Sequence, residues 1–385
     1  MRKQKMKNLP NELKSSPMIS SLSIIVPTYQ ESENLPTLID RIRMAVTPLQ
    51  MPYEVIIVDD DSRDGTEETV DELTKNGHPI RLIVRKDQRG LSSAVIRGFR
   101  ETKGELLICM DADLSHPPEA IPAMVNAFDD PQVEMVIGSR YVPGGSTDDQ
   151  WGLVRWLNSK VATLLAKPFT RIKDPMSGFF AISREVFAKA TELNPVGYKI
   201  GLELIVKSKS KNIREIPIHF ADREFGQSKL NFKEQLNYIK HLKRLADFKF
   251  GRMFQFVQFC GVGATGMGVD LFAFYLLIRL NLPVPMARAI AIWIAMTWNF
   301  WLNRRLTFSY SRKGNIFSQY GKFVASCSVG AFLSWLTSIL LIQLTPWFAV
   351  HIFHAAIIGV MVGTLSNFAI SYMWVFKSDS KHPSS

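Results

Sequence analysis

The sequence predicts a doubly wound, mostly parallel α/β sheet, followed by amphipathic helices and a four-helix transmembrane region. Three observations predict it. Apolar runs rich in Ile and Val alternate with helix-patterned segments through roughly the first 250 residues. Distinctive polar residues stand where those runs end. Four long apolar segments fill the remainder of the 385-residue chain.

Residues 1–20 include MRKQKMKNLPNELKSS, which is basic but leads into no apolar core. They are expected to be a flexible tail and not a secretory signal. Strands are expected at LSIIVPT (22–28), YEVIIVD (53–59), IRLIVRK (80–86), ELLICM (105–110) and EMVIGSR (134–140). Each is a short apolar run of the kind that a parallel sheet buries on both faces. Helices are expected near 33–47, 65–76, 91–102 and 119–129. Ligands of such sheets lie at the carboxyl ends of the strands. At those ends stand Pro27–Glu31, Asp59–Asp61, Asp111–Asp113 and Arg140.

A helix is expected at about 151–167. Leu153, Trp156, Leu157, Val161, Leu164 and Leu165 give it an apolar surface, and Arg155 and Ser159 lie one turn apart on one face. A helix lying in a membrane interface has this pattern, and so does a plain core helix. A second amphipathic helix, 230–252, interleaves Lys and Arg with apolar residues and is expected to rest on anionic headgroups.

The membrane region is expected to span 253–377, with apolar segments at 254–278, 284–303, 322–344 and 350–376 and a tail at 378–385. Each segment reaches the roughly 20 residues that cross a bilayer core. The loop NRRLTFSYSRKGN after the second segment is strongly basic, whereas TPWFAVH after the third has neither Lys nor Arg. Basic loops face the cytoplasm, which is where the α/β half and both termini are then expected. The region also repeats itself. CGVGA (260–264) returns as CSVGA (327–331), and NFWLNRRLTF (299–308) returns as NFAISYMWVF (367–376), so a duplicated helical hairpin is expected.

Net charge is +11. The basic residues cluster beside apolar segments, so an anionic bilayer surface explains them better than nucleic acid does. The cysteines, Cys109, Cys260 and Cys327, are far apart and odd in number, which argues against a disulfide framework or a zinc site. GVGATG (261–266) matches a dinucleotide fingerprint, but it lies inside an apolar helix with no strand before it. Its small residues, as Gly261/Thr265 and Ala264/Gly268, are expected to let helices approach closely.

Asp111 and Asp113 flank Ala112 directly after an apolar run. In an extended chain, side chains two apart point the same way, so both carboxylates can converge on one hard cation, Mg²⁺ or Mn²⁺. Ser115 could add an oxygen. A simple turn with helix-capping groups would also use DLSHPPE. Ser62 and Asp64 are cap candidates for the helix after the second strand. Taken together, the strand ends describe a nucleotide pocket in which Tyr29 could line or stack on a base and Asp60 could accept from its N–H groups.

PTYQE, VDDDSRDGT, MDADLSHPPE, GSRYVPGG and DPMSGFF, in this order, resemble family 2 glycosyltransferases of GT-A fold. More narrowly they resemble the dolichyl-phosphate or polyprenyl-phosphate mannose synthases, over about residues 20–250. The resemblance implies a glycosyltransferase domain at 21–229, a nucleotide-sugar donor such as GDP-mannose, and Mg²⁺ or Mn²⁺. It places donor contacts on Pro27, Tyr29, Glu31, Val58, Asp60, Asp111, Ala112, Asp113, Arg140, Arg223 and Lys229. The family's metal position falls on Asp113, with Asp111 and Ser115 close by. Arg140, Arg155 and Ser159 are implied to hold the phosphate of a dolichyl or polyprenyl phosphate acceptor. Arg223 and Lys229 are implied to close over the donor diphosphate, so that Asp111, Asp113 and Arg223 form the catalytic set. Transfer would be one inverting displacement. The membrane half resembles a small four-helix family found beside polyprenyl-phosphate sugar enzymes. It could anchor the enzyme or flip its product, and Asp270 in the first span with Arg288 in the second suggests an ion pair within it. Transfer of glucose from UDP-glucose, or a translocase whose α/β half is regulatory, are the alternatives that these motifs leave open.

Overall fold

A computed structural model describes residues 19–148, 153–194, 199–221 and 232–377. Contacts divide the chain into two compact units, one up to Lys249 and one from Phe250 onward. The expected tails, residues 149–152 and the 222–231 segment with Arg223 and Lys229 lie outside the described residues, apart from residues 19–20 at the end of the first tail.

The first unit begins β1 (Leu22–Thr28), α1 (Leu35–Val46), β2 (Tyr53–Asp59), α2 (Thr66–Lys75), β3 (Ile80–Val84), α3 (Leu91–Glu101), β4 (Leu106–Cys109), α4 (Ile121–Asn126) and β5 (Met135–Ser139). It continues β6 (Ser146–Thr147), α5 (Leu153–Ala166), β7 (Phe180–Ser183), α6 (Arg184–Lys189), α7 (Ile200–Lys207), β8 (Ile213–Pro217), β9 (His219–Phe220) and α8 (Phe232–Phe250). Seven strands form one sheet in the order β3-β2-β1-β4-β7-β5-β8. The buried Ile and Val runs of β1, β2 and β4 form its centre, and helices cover both faces. Leu35, Leu38, Ile39, Ile42 and Val46 bury one stripe of α1 at helical spacing. The order reverses beside β1, which pairs in parallel with β2 on one side and β4 on the other. A crevice opens at such a switch point, at the carboxyl ends of the strands.

β7 is antiparallel to both neighbours, β4 and β5. An antiparallel strand begins where its parallel neighbours end. β7 therefore brings the preceding loop, Asp174–Phe179, to the rim that already carries Asp111 and Arg140. Gly104 ends the approach to β4, pressed against β1. A Cβ there would lie 2.5 Å from Ser23 Oγ and 2.6 Å from Ser23 N. Backbone cannot yield as a side-chain tip can, so Gly104→Ala should cost about 1–3 kcal/mol. A lowered thermal midpoint in detergent would register it.

The second unit comprises α9 (Arg252–Arg279), α10 (Val284–Leu302), α11 (Ile316–Leu344), α12 (Pro346–Val350) and α13 (Ile352–Ile370). Among the described residues three helical stretches are long and apolar enough to cross a membrane: Arg252–Arg279, Ile316–Leu344 and Ile357–Val375. The fourth expected span, α10, is 19 residues long and as apolar on average as α9 and α11. The apolar stretch at 350–376 is not one α-helix: it breaks at His351 and ends in a π-helical turn at Ser371–Val375.

The duplication is visible in the coordinates. π-helical turns follow both α10 (Asn303–Thr307) and α13 (Ser371–Val375), closed by Phe308 N–H to Asn303 O at 2.8 Å and Phe376 N–H to Ser371 O at 2.9 Å. Phe308 and Phe376, 68 positions apart, stack on each other at 4.7 Å. Phe300 stacks on Phe376 at 6.0 Å, and its counterpart Phe368 stacks on Phe308 at 6.2 Å. Gly266 abuts the Asn299 side chain as Gly330 abuts that of Asn367. The close helix contact in GVGATG is thus made by the buried Val262 and Gly266, whereas Gly261, Ala264, Thr265 and Gly268 are exposed within this unit. The Arg288 side chain lies outside the described residues, so the expected pair with Asp270 has no described geometry.

Candidate active site

The loops leaving the carboxyl ends of β1, β2, β3 and β4, with the loop entering β7, carry the site. Several of their residues hold positive φ: Gln30 at 61°, Asp61 at 56°, Arg63 at 54° and Leu114 at 61°. Such strain persists only where surrounding structure fixes it, and it concentrates at functional rims. Here the fixing contacts are on hand. Gln30 N–H donates to Ser62 Oγ at 2.9 Å, and Ser32 N–H donates to Asp64 at 3.1 Å, tying the β1 loop to the β2 loop. Ser62 also donates to Asp59, so it braces loops and does not cap α2. Asp64 accepts from Thr66 at the start of α2. Partial burial works against the Asp64 charge, yet the donors from Thr66 and Ser32 hold its carboxyl below its ordinary value.

Pro27 and Val58 are paired in register across β1 and β2. Pro27 lies beyond the last β4 pair, Ile25 with Cys109, so its missing N–H loses no bond to that strand. Glu31 accepts from the Asn34 side chain at 2.7 Å. Asp60 is buried, and it accepts from Arg85 Nε at 2.8 Å and Gly90 N–H at 2.7 Å. Arg85 also reaches Ser93 at 2.8 Å, while the Arg89 guanidinium lies 5.3 Å from the Tyr29 ring centre. Both arginines come from the loop after the third strand.

The turn after β4 is not an extended chain, because Leu114 bends it. Asp113 is 4% exposed and accepts from Ser115 Oγ at 2.5 Å and Ser115 N–H at 3.2 Å. The Asp111 side chain is 28% exposed. Its N–H donates to His116 Nδ1 at 3.0 Å. The same nitrogen lies 3.7 Å from the Asp111 carboxylate. The His116 ring is clamped between Phe179 and Phe220. A Cβ on Gly178 would stand 3.3 Å from His116 and 3.4 Å from both Asp111 oxygens, so Gly178 packs closely beside both side chains. Among the described residues no three His, Cys, Asp or Glu side chains gather into a metal cage. A hard divalent ion needs no cage, only one or two carboxylates together with substrate phosphates, and Asp111 and Asp113 fit that donor set. Cys109 beneath them is inert, since burial first and the Asp111 charge second push its thiol well up.

Arg140 donates from Nε and Nη2 to the two oxygens of Asp174, at 2.7 and 2.8 Å, and Asp174 is 0% exposed. Burial works against the Arg140 charge, but this two-pronged contact outweighs it and holds the guanidinium above its ordinary value. Lys199, just before α7, is a residue that the sequence did not single out. Its stem is half-buried, and loss of water around the ammonium, helped by the Arg140 charge, lowers its pKa to about 8 against the pull of Asp174 and Asp111. Arg140, Lys199 and Asp111 thus feel one another's charge. Ser159 on α5 shares a 2.8 Å hydrogen bond with the Tyr141 hydroxyl, and the Arg155 side chain lies outside the described residues. Ala221 N–H donates to Ser115 O at 3.2 Å, so the chain enters the 222–231 segment from the rim of the Asp113 turn.

Comparison with known proteins bears on both units. The model of glycosyl transferase family 2 matches residues 23–191, and that of the GtrA/DPMS transmembrane domain matches residues 258–382. A dolichol-phosphate mannosyltransferase of Pyrococcus furiosus is 38% identical over 356 residues, covering 91% of this chain and 97% of that protein. Proteins of the same name from Mycosarcoma maydis and Saccharomyces cerevisiae are 46% and 41% identical, each over 60% of this chain, covering 81% and 88% of their own lengths.

Proposed function

The chain belongs to the dolichol-phosphate mannosyltransferase family, and from that premise we propose that it moves mannose from GDP-mannose to the phosphate of dolichol or a related polyprenol. It is a membrane protein with a family 2 glycosyltransferase domain. In this reading the glycosyltransferase half and both termini face the cytoplasm, the side to which the basic 303–315 loop points. The observation that carries the reading is that Asp111, Arg140 and Lys199 act on one another's charge at the carboxyl-end rim of the sheet.

An oxygen of the acceptor phosphate attacks the anomeric carbon on the face opposite the diphosphate. The bond from that carbon to the diphosphate oxygen breaks, its electron pair stays with the leaving oxygen, and the configuration inverts. A phosphate monoester has its second pKa near ~6, so the nucleophile is already largely dianionic near neutrality and needs no general base. The barrier lies in bringing anions together. Asp111 and Asp113 would hold Mg²⁺ or Mn²⁺, and when bound there the ion supplies charge neutralisation for the departing diphosphate. Ser115 holds Asp113 in place. Pro27, Tyr29, Glu31, Val58, Asp60 and Ala112 shape the nucleotide pocket. Arg223 and Lys229 serve the donor diphosphate in this reading. Arg140, Arg155 and Ser159 orient the acceptor phosphate, and Asp174 keeps Arg140 from collapsing onto Asp111.

Lys199 adds a cation between the two reactants. An ammonium near 8 is charged below that pH and neutral above it. The free-enzyme kcat/KM should therefore fall as pH rises through about 8. In Lys199→Arg, which stays charged, that alkaline limb should move to higher pH. An unchanged limb removes Lys199 from the mechanism.

The direct test incubates the purified chain with labelled GDP-mannose and polyprenyl phosphate, with UDP-glucose in parallel. Lipid-extractable mannose that vanishes with chelator and returns with Mg²⁺ or Mn²⁺ is expected. Glucose transfer without mannose transfer would overturn the donor assignment.

A further inference from the structure

The turn after α5 carries cations that the transfer does not use. Tyr141, Lys160, Lys167, Arg171 and Lys173 line a cavity of about 480 Å³. Lys160 lies over the Tyr141 ring, with its Nζ 4.2 Å from the centroid. Among the described residues Lys167, Arg171 and Lys173 have no ion-pair partner. Glu215, the carboxylate beside this loop, is taken up by the backbone N–H groups of Lys173 at 2.8 Å and Asp174 at 3.0 Å, from which it accepts. A cavity walled by like charges invites an anion.

The surroundings say which anion. On α5, Val161, Leu164 and Leu165 are exposed, and Lys160 and Lys167 flank that stripe, two turns apart on one face. α8 extends the apolar surface with exposed Leu236 and Ile239, and it is tied to α5 by Tyr238 OH to Ala162 O at 2.8 Å. An apolar helix face sinks about 5–10 Å past the headgroups, which leaves flanking cations at headgroup depth. We propose that this cavity binds the phosphate of an anionic phospholipid headgroup, at a site separate from that of the acceptor phosphate. Acyl chains account for the apolar stripe at its mouth, and a free phosphate ion does not. Such a lipid would pin α5, and with it Ser159 and Tyr141, at a fixed depth.

The test places the full chain in phosphatidylcholine nanodiscs with and without phosphatidylglycerol and counts retained phosphatidylglycerol by native mass spectrometry. This readout does not depend on sugar transfer. The variant Lys167→Ser/Arg171→Ser/Lys173→Ser should hold one lipid fewer, with roughly 10²-fold weaker retention for three lost charges. The charge-preserving Lys167→Arg/Lys173→Arg should retain it as the wild type does. Inorganic phosphate should not displace it. Equal retention in the serine variant, loss in the arginine variant, or displacement by inorganic phosphate at concentrations matching the lipid would each overturn the proposal.

Discussion

Asp113→Asn should lower turnover by roughly 10²–10³-fold, the loss that follows removal of one decisive electrostatic contact. Asparagine keeps the shape of the side chain, and its carbonyl can still accept from Ser115, which now donates twice to Asp113. What disappears is the charge. Two unit charges about 4 Å apart interact by about 4 kcal/mol at an effective dielectric near 20. A site that must admit a dianionic phosphate beside a diphosphate cannot forgo such terms. The measurement is single-turnover transfer from labelled GDP-mannose across a titration of Mg²⁺ or Mn²⁺, with circular dichroism to confirm the fold. The variant should need far more metal and should not reach the wild-type plateau. Wild-type rates would remove the divalent-ion reading.

Asp174→Ala should be the most destabilising single change in the glycosyltransferase half. It leaves Arg140, itself nearly buried, without the carboxylate that takes both prongs of its guanidinium. Breaking a buried ion pair from one side costs about 3–5 kcal/mol, because the remaining charge is stranded. Replacing both partners by apolar residues often costs little. Arg140→Met with Asp174→Leu should therefore recover most of the thermal midpoint while remaining without transferase activity. If the double variant regained activity, Arg140 would be structural only. If the single variant kept the wild-type midpoint, the pair would not be buried in solution.

The core of the fold was legible because β1, β2, β4 and β5 are short apolar runs between amphipathic helices, a pattern set by burial on both faces. β3 proved shorter than expected, ending at Val84 before Arg85, whose side chain turns in to meet Asp60. β7 escaped notice, since four residues, FAIS, give too short a period to distinguish a strand from any buried segment. With it went the partner of Arg140. Asp174 lies in a stretch, DPMSGFF, whose resemblance was plain, but nothing local in it says that its aspartate folds back 34 positions to a guanidinium. Lys199 was illegible for the same reason: a lysine becomes unusual only through the company that tertiary structure gives it. Asp111 and Asp113 were found because their spacing after a buried run is a local signal, although the bend at Leu114 replaces the extended geometry first expected. The four apolar helices of the second unit were legible because a run of about 19 or more largely apolar residues is a local signal.

The paired π-helical turns have a topological consequence. If all four long helices cross the bilayer, each copy of the duplicated unit contains two passes, an even number, and both copies start and finish on the same leaflet. Halves of that kind are related by rotation about the bilayer normal, and not by the in-plane axis that relates inverted repeats. Exchanging the conformations of the two halves then reproduces the same sidedness.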